Sequence, residues 1–178
     1  MKDISFKVLE GIFSEDIENI LFDILLPKTK PFTIGIFYRP PSQNDFVEKI
    51  SSGFNKLLPE EKEIYILGDF NINILINGKS VLDNNKNVEI NSTLAPFITT
   101  QYNEFCSLFS LKQLIKEPTR ITSTTSTLID HVLTNSFQKI CQSGVIDTSL
   151  SDHQMIYCTR KVLRMKTHAH KQIKCRSI

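Results

Sequence analysis

Ile64-Tyr65-Ile66-Leu67-Gly68-Asp69-Phe70-Asn71 decides how this chain is read. A short β-rich apolar run predicts a buried strand. Gly68 and Asp69 then close it with residues that are also ordinary turn formers. Side chains two apart in an extended segment point the same way. Asp69 and Asn71 are therefore set to converge on one small object, such as a water or a phosphate oxygen.

Working outward, residues 17–26 alternate around Ile20, Phe22 and Ile24 and stop at Pro27, which predicts a strand. Phe32–Phe37 is a second, and Pro40-Pro41 end it because proline cannot continue a ladder. A helix is expected from Asn44 to Leu58, with Phe46, Val47, Ile50, Phe54, Leu57 and Leu58 at three- and four-residue spacing. Residues 77–93, rich in Asn, Asp, Lys and Gly, read as a surface loop. A second helix is expected from Pro96 to Phe109, with Tyr102, Phe105, Cys106 and Phe109 inward. Short strands follow at Leu111–Ile115, Thr127–Thr134 and His153–Lys161. This order excludes an all-helical fold and a regularly alternating parallel sheet. It favours a layered α/β protein with helices outside sheets.

The chain has 178 residues, with 40% hydrophobic and 22% charged, enough for one domain with a real core. No apolar run approaches the roughly 18 residues of a membrane span, and no signal-peptide segment opens the chain. An intracellular protein, nuclear or cytoplasmic and without membrane attachment, is expected. Cys106, Cys141, Cys158 and Cys175 are widely spaced without a CxxC pair, so free thiols are expected rather than a zinc site. From Lys161 onward there are six Lys/Arg and no acid, leaving 15 basic against 19 acidic residues before it. A mildly acidic body with a basic end reads either as polyanion contact or as a solvated linker. His168 and His170 in that end read as solvated.

Polar residues that packing does not need recur at strand ends: Tyr38-Arg39, Asp69 with Asn71, Asp130-His131, and Ser151-Asp152-His153. Asp130 interrupts the run Leu128-Ile129-Asp130-His131-Val132-Leu133, where an unpaired carboxylate is costly. His153 is its natural partner, the carboxylate holding the ring's tautomer. The alternative is Asp130 in solvent with His131 turned inward.

Tyr38-Arg39-Pro40-Pro41, Gly68-Asp69-Phe70-Asn71, Pro118-Thr119-Arg120, Ser126-Thr127-Leu128-Ile129-Asp130-His131 and Ser151-Asp152-His153 stand in the order of the endonuclease/exonuclease/phosphatase superfamily. More narrowly, the chain resembles the endonuclease domain of non-LTR (LINE-type) retrotransposons over about Phe32 to Arg164. The resemblance implies a four-layer α/β sandwich of two packed sheets flanked by helices. It also implies phosphodiester hydrolysis of DNA dependent on Mg2+, with Mn2+ as substitute. By motif, Asp69 would position or deprotonate the attacking water and Asn71 would hold that water or the phosphate. His153, oriented by Asp130, would stabilise charge on the scissile phosphate, and Tyr38 would hydrogen-bond it. Asp152 would lie at the metal side, while Arg39, Thr119, Arg120 and Ser151 would contact substrate.

One departure accompanies the match. The family's early Asn and its metal-binding Glu precede the YRPP segment, and Glu10, Glu15 and Glu18 sit in no matching motif; they read as solvent-facing. The expected organisation is a partial domain over residues 1–164 that lacks its N-terminal strands and leaves a central strand as an edge. A basic tail or linker follows at 165–178, toward a downstream reverse transcriptase in a full element. Three functions remain open at this point: a DNA-nicking endonuclease, a catalytically deficient remnant that only binds nucleic acid or protein, and a phosphatase of the same superfamily.

Overall fold

The computed structural model describes residues 4–27, 29–57, 62–76, 79–80 and 97–162. In chain order the elements are β1 (Ser5–Leu9), β2 (Glu18–Leu25), β3 (Phe32–Tyr38), α1 (Phe46–Leu57) and β4 (Ile64–Asp69). Next come β5 (Leu75–Ile76), β6 (Lys79–Ser80), α2 (Phe97–Leu108), β7 (Lys112–Gln113), β8 (Arg120–Ile121), β9 (Ser126–Thr127) and β10 (Asp130–Thr134). A 3-10 turn at Phe137–Lys139 leads into β11 (Ile140–Ile146) and β12 (Met155–Arg160).

A six-stranded sheet in the order β1-β2-β3-β4-β10-β7 organises the protein. Its only parallel pair is β3 with β4. A parallel pair needs a crossover connection, and α1 supplies it. The amphipathic spacing read in the sequence buries Phe46, Val47, Ile50, Phe54 and Leu57 on one face of α1. Each such side chain contributes roughly 1.5–3 kcal/mol on leaving water.

Aromatic rings fill the layer between helices and sheet. Phe54 lies 6.3 Å from Phe37 and 5.2 Å from Phe105, and Phe70 lies 5.5 Å from Tyr102. Gly68 lets β4 end against β3. Its φ is +149°, and a Cβ there would stand 1.8 Å from the Phe37 carbonyl oxygen.

On the opposite face the β11–β12 ribbon forms a second, smaller sheet. Ile156, Cys158 and Arg160 of β12 line one wall of a groove of about 640 Å³, facing Phe32, Ile34, Ile36, Tyr65 and Leu67. The ribbon is pinned at one end by Glu63. Arg160 donates to both its carboxylate oxygens at 2.6 and 3.0 Å, and the Tyr65 hydroxyl donates at 2.6 Å. Burial alone would raise the Glu63 pKa, but the bonds from Arg160, Lys139 and Tyr65 outweigh it and hold the group at about 2.

The layered α/β expectation holds, with several local differences. Within the six-stranded sheet β3 and β4 are paired on both sides, while among the described residues β12 of the smaller sheet pairs only with β11. What is uncovered among the described residues is the sheet face beyond the ribbon, where Phe6 is 63%, Ile20 59% and Ile36 46% exposed. The expected strand Leu111–Ile115 shortens to Lys112–Gln113, because the Gln113 side chain, not the backbone alone, takes the next amides of β7 and β10. The expected strand Thr127–Thr134 breaks at Leu128-Ile129, whose amides go to the side chains of Asn73 and Thr119. Within the expected 77–93 loop, Lys79–Ser80 forms a ladder with β5, and the rest of that loop lies outside the described residues. Strands β1 and β11 were not anticipated. Residues 163–178, with the basic tail, Cys175, His168 and His170, also lie outside the described residues. Cys106, Cys141 and Cys158 are free, as expected. No helix among the described residues is long and apolar enough to cross a membrane.

Candidate active site

Three strand ends meet at one level of the sheet. Tyr38, the last residue of β3, pairs with Asp69, the last of β4, and Asp69 pairs with Asp130, the first of β10. Directly paired residues share a face, and Asp69 and Asp130 look into the same groove as Tyr65 and Leu67. His153 arrives from the segment before β12, held by a bridge between Arg120 and His153. Ligating atoms of Asp69, Asp130 and His153 all lie within 4.8 Å of one another.

His153 Nδ1 stands 3.1 and 3.2 Å from the two Asp130 oxygens. The carboxylate thereby fixes a proton on Nδ1 and turns Nε2 outward. Asp130 is itself held: its amide and that of Ile129 both donate to the Thr119 hydroxyl, at 2.9 and 3.1 Å. Burial raises the Asp69 pKa, the bond from the Asn71 amide at 3.0 Å opposes this, and the facing Asp130 charge adds to the rise. Such a pair of carboxylates stays ionised most easily beside a cation.

The expected Asp130–His153 pair forms, and of the alternative only the inward turn of His131 occurs, since the Asp130 side chain is largely buried rather than in solvent. Asp130 pairs with His153, and His131 turns inward to complete burial under α2. The Tyr102 hydroxyl lies 2.6 Å from His131 Nδ1, and the imidazole stacks on Phe70 at 5.2 Å. The other ring nitrogen lies 3.3 Å from the Leu128 carbonyl, so the hydroxyl donates to Nδ1 and Nε2–H donates to the carbonyl. Burial pushes the His131 pKa down to about 4. Neutral His131, held by Tyr102, thus supports the Leu128 carbonyl beneath the site. In the sequence Tyr102 was legible only as a core position of α2, and His131 only as the inward-turned alternative beside Asp130.

The remaining sequence candidates have other surroundings. Arg39 is 3% exposed, and its guanidinium donates to backbone carbonyls of Gln43, Phe70, Asn71 and Pro41. Thr119 is fully buried and braces Asp130. Asp152 is outside the converging group; its carboxylate accepts from Arg120 Nε at 2.7 Å, which lowers its pKa. The Ser151 hydroxyl donates to the His153 carbonyl and accepts from the His153 amide, closing a local turn. Asn71 donates through Nδ2 to the Arg39 carbonyl at 2.9 Å. Tyr38 is 41% exposed at the end of β3. Glu18 pairs with Tyr38 in register and is exposed, one strand further out than the converging group.

A family model described as endonuclease-reverse transcriptase matches residues 32–157. The chain belongs to that family. Membership supports phosphodiester hydrolysis as its general chemistry, and the matched span contains Tyr38, Asp69, Asp130 and His153. The fold agrees. The endonuclease domain of TRAS1, a telomere-specific non-LTR retrotransposon, superposes with a TM-score of 0.69 at 14% identity, over 90% of this chain and 70% of that one. The 3′ phosphatase NExo from Neisseria, solved with a product DNA hairpin, superposes with a TM-score of 0.57 at 11% identity. That match covers 80% of this chain and 65% of the phosphatase. No curated protein sequence matches the chain.

The donor set of this family member suits a hard divalent cation. Two facing carboxylates and one imidazole converge. Mg2+ is commonly held by one or two carboxylates and substrate phosphate, with water completing its shell.

Proposed function

We propose that the chain is a divalent-metal-dependent, DNA-nicking endonuclease of a retrotransposon, with its reacting centre at Asp69, Asp130 and His153. The convergence of those three groups from three separate segments carries the reading. Packing alone gives no reason to gather two carboxylates and an imidazole on the exposed end of an apolar groove. Asp69 and Asp130 would hold Mg2+, with Mn2+ as substitute; when bound, the ion neutralises charge on phosphate oxygens.

Asp69 orients the attacking water and accepts its proton. The water oxygen bonds to phosphorus, the phosphorus–oxygen bond to the leaving sugar breaks, and the freed sugar oxygen takes a proton from solvent water. His153 donates from Nε2 to a phosphate oxygen. With Nδ1–H engaged by Asp130, that donation uses the imidazolium form of the ring. Asn71 and Tyr38 position the phosphate from either side of Asp69. In a full element, the nick would provide the start for a reverse transcriptase downstream of the basic 165–178 segment.

Supercoiled-plasmid nicking with Mg2+ tests this. The wild-type chain should convert plasmid to the open circle, and Asp69→Ala and His153→Ala should each lower the rate at least ~100-fold. Equal conversion by all three proteins would refute the assignment.

A further inference from the structure

We infer that Arg39 is a positioning residue, whose buried guanidinium sets the geometry of the Asp69–Asn71 turn. The inference rests on the proposed roles of Asp69 and Asn71 and explains what holds them in place. Three bonds tie Arg39 to that turn through its side chain or backbone amide. Nη1 donates to the Asn71 carbonyl at 3.1 Å and to the Phe70 carbonyl at 3.4 Å, and the Arg39 amide donates to the Asp69 carbonyl at 2.9 Å. The turn answers in kind, Asn71 Nδ2 donating to the Arg39 carbonyl at 2.9 Å. On its other side, Arg39 anchors to the β3–α1 connection, where Nε donates to Gln43 O at 2.9 Å and Nη2 to Pro41 O at 3.2 Å.

The turn needs such an anchor because Asn71 has φ +47°. A left-handed asparagine is tolerated but costs of order 1 kcal/mol, and it persists only where surrounding contacts over-determine it. The planar guanidinium offers its donors in a fixed fork, which a lysine ammonium cannot copy. At 3% exposure and with its donors already on carbonyls, it has no reach toward a phosphate in the groove. The residues Tyr38-Arg39-Pro40-Pro41 thus divide their labour. Tyr38 pairs with Asp69 at the strand ends, the prolines shape the exit, and Arg39 ties that exit to the turn carrying Asp69 and Asn71.

Arg39→Lys, which keeps the charge without the fork, and Arg39→Met, which removes both, test the inference through two readouts. Amide hydrogen exchange by NMR should speed at least ~10-fold at Phe70 and Asn71 in both variants, with Ile66 and Leu133 within about 2-fold of wild type. Unchanged exchange at Phe70 and Asn71 would overturn it, as would uniform acceleration across β4 and β10, the mark of a general brace. If Arg39→Met does not fold, Arg39→Lys decides. In plasmid nicking, kcat should fall about 10- to 100-fold while KM for DNA stays within about 2-fold. Arg39→Lys on an Asp69→Ala background should add no further loss. A raised KM with kcat kept would instead make Arg39 a direct DNA contact and overturn the inference. Wild-type protein that nicks nothing would defeat the endonuclease reading alone, because the exchange measurement still decides Arg39.

Discussion

Asp69 ends β4, Asp130 begins β10, and the two face each other directly across an antiparallel pair. The register of two strands, with no loop rearrangement, therefore brings two carboxylates together from positions far apart in sequence. Opposed residues have Cβ atoms about 5 Å apart, close enough to share a cation and too close to stay charged comfortably without one. Asp69 shows that tension in its raised pKa, due first to burial and then to Asp130.

Metal affinity separates the facing pair from the neighbouring acid. Asp69→Asn and Asp130→Asn should each weaken Mn2+ binding at least ~10-fold by calorimetry. Asp152→Asn should leave it within about 2-fold, because that carboxylate is engaged by Arg120 and lies outside the converging group.

Asp130 and His153 should behave as one unit in catalysis. His153→Ala, which deletes the ring, is expected to lower nicking about 100-fold, Asp130→Ala, which frees the ring and removes a proposed cation ligand, at least as much, and the double variant little more than Asp130→Ala. Additive losses in a double-mutant cycle would separate their roles.

Acid should destabilise the fold through His131. Its folded pKa of about 4 lies below the ordinary 6.5, so the unfolded chain binds the proton first. The stability it contributes is whole above pH 6.5 and is lost as pH falls to about 4. About 3 kcal/mol is at stake by linkage. Urea titrations at pH 7 and pH 4.5 should show that loss, and His131→Gln should flatten it. Glu63, held at about 2 against an ordinary 4.5, adds its own loss only below pH 4.5.

Gly68→Ala should be among the most damaging single-methyl additions. The new Cβ would meet the Phe37 carbonyl oxygen at 1.8 Å from a φ of +149°. β3 and β4 must part at the level of the site, at a cost of about 3 kcal/mol or more. A melting-temperature drop of only a degree or two would show that the strands yield more easily than their geometry implies.

Much of the frame was legible because local rules governed it. The apolar spacing of Phe46, Ile50, Phe54 and Leu57 specified α1, and the prolines after Tyr38 ended β3. Strand β11 escaped because it is no clean alternating run, whereas the alternation Ser5-Phe6-Lys7-Val8 of β1 was a signal the sequence did carry. β1 carries Phe6 and Val8 on an uncovered face, and β11 runs through Gln142, Ser143 and Gly144. The polar residues were visible too, but as a flat list in which Arg39, Thr119 and Asp152 looked as available to substrate as Asp69.

By itself, then, the sequence determined the layered α/β class, the two helices, the strand ending at Asp69 and the polar vocabulary of the site. It did so because periodicity, proline and glycine act within a few residues of themselves. Only the tertiary structure sorted that vocabulary. Register placed Asp69 against Asp130, and chain reversal brought His153 to Asp130. Burial then turned Arg39 and Thr119 toward the backbone, and proximity across the Arg120–His153 bridge put the exposed Asp152 on Arg120. A buried donor must find its acceptor wherever the fold puts one, and that choice is made across strands rather than along the chain.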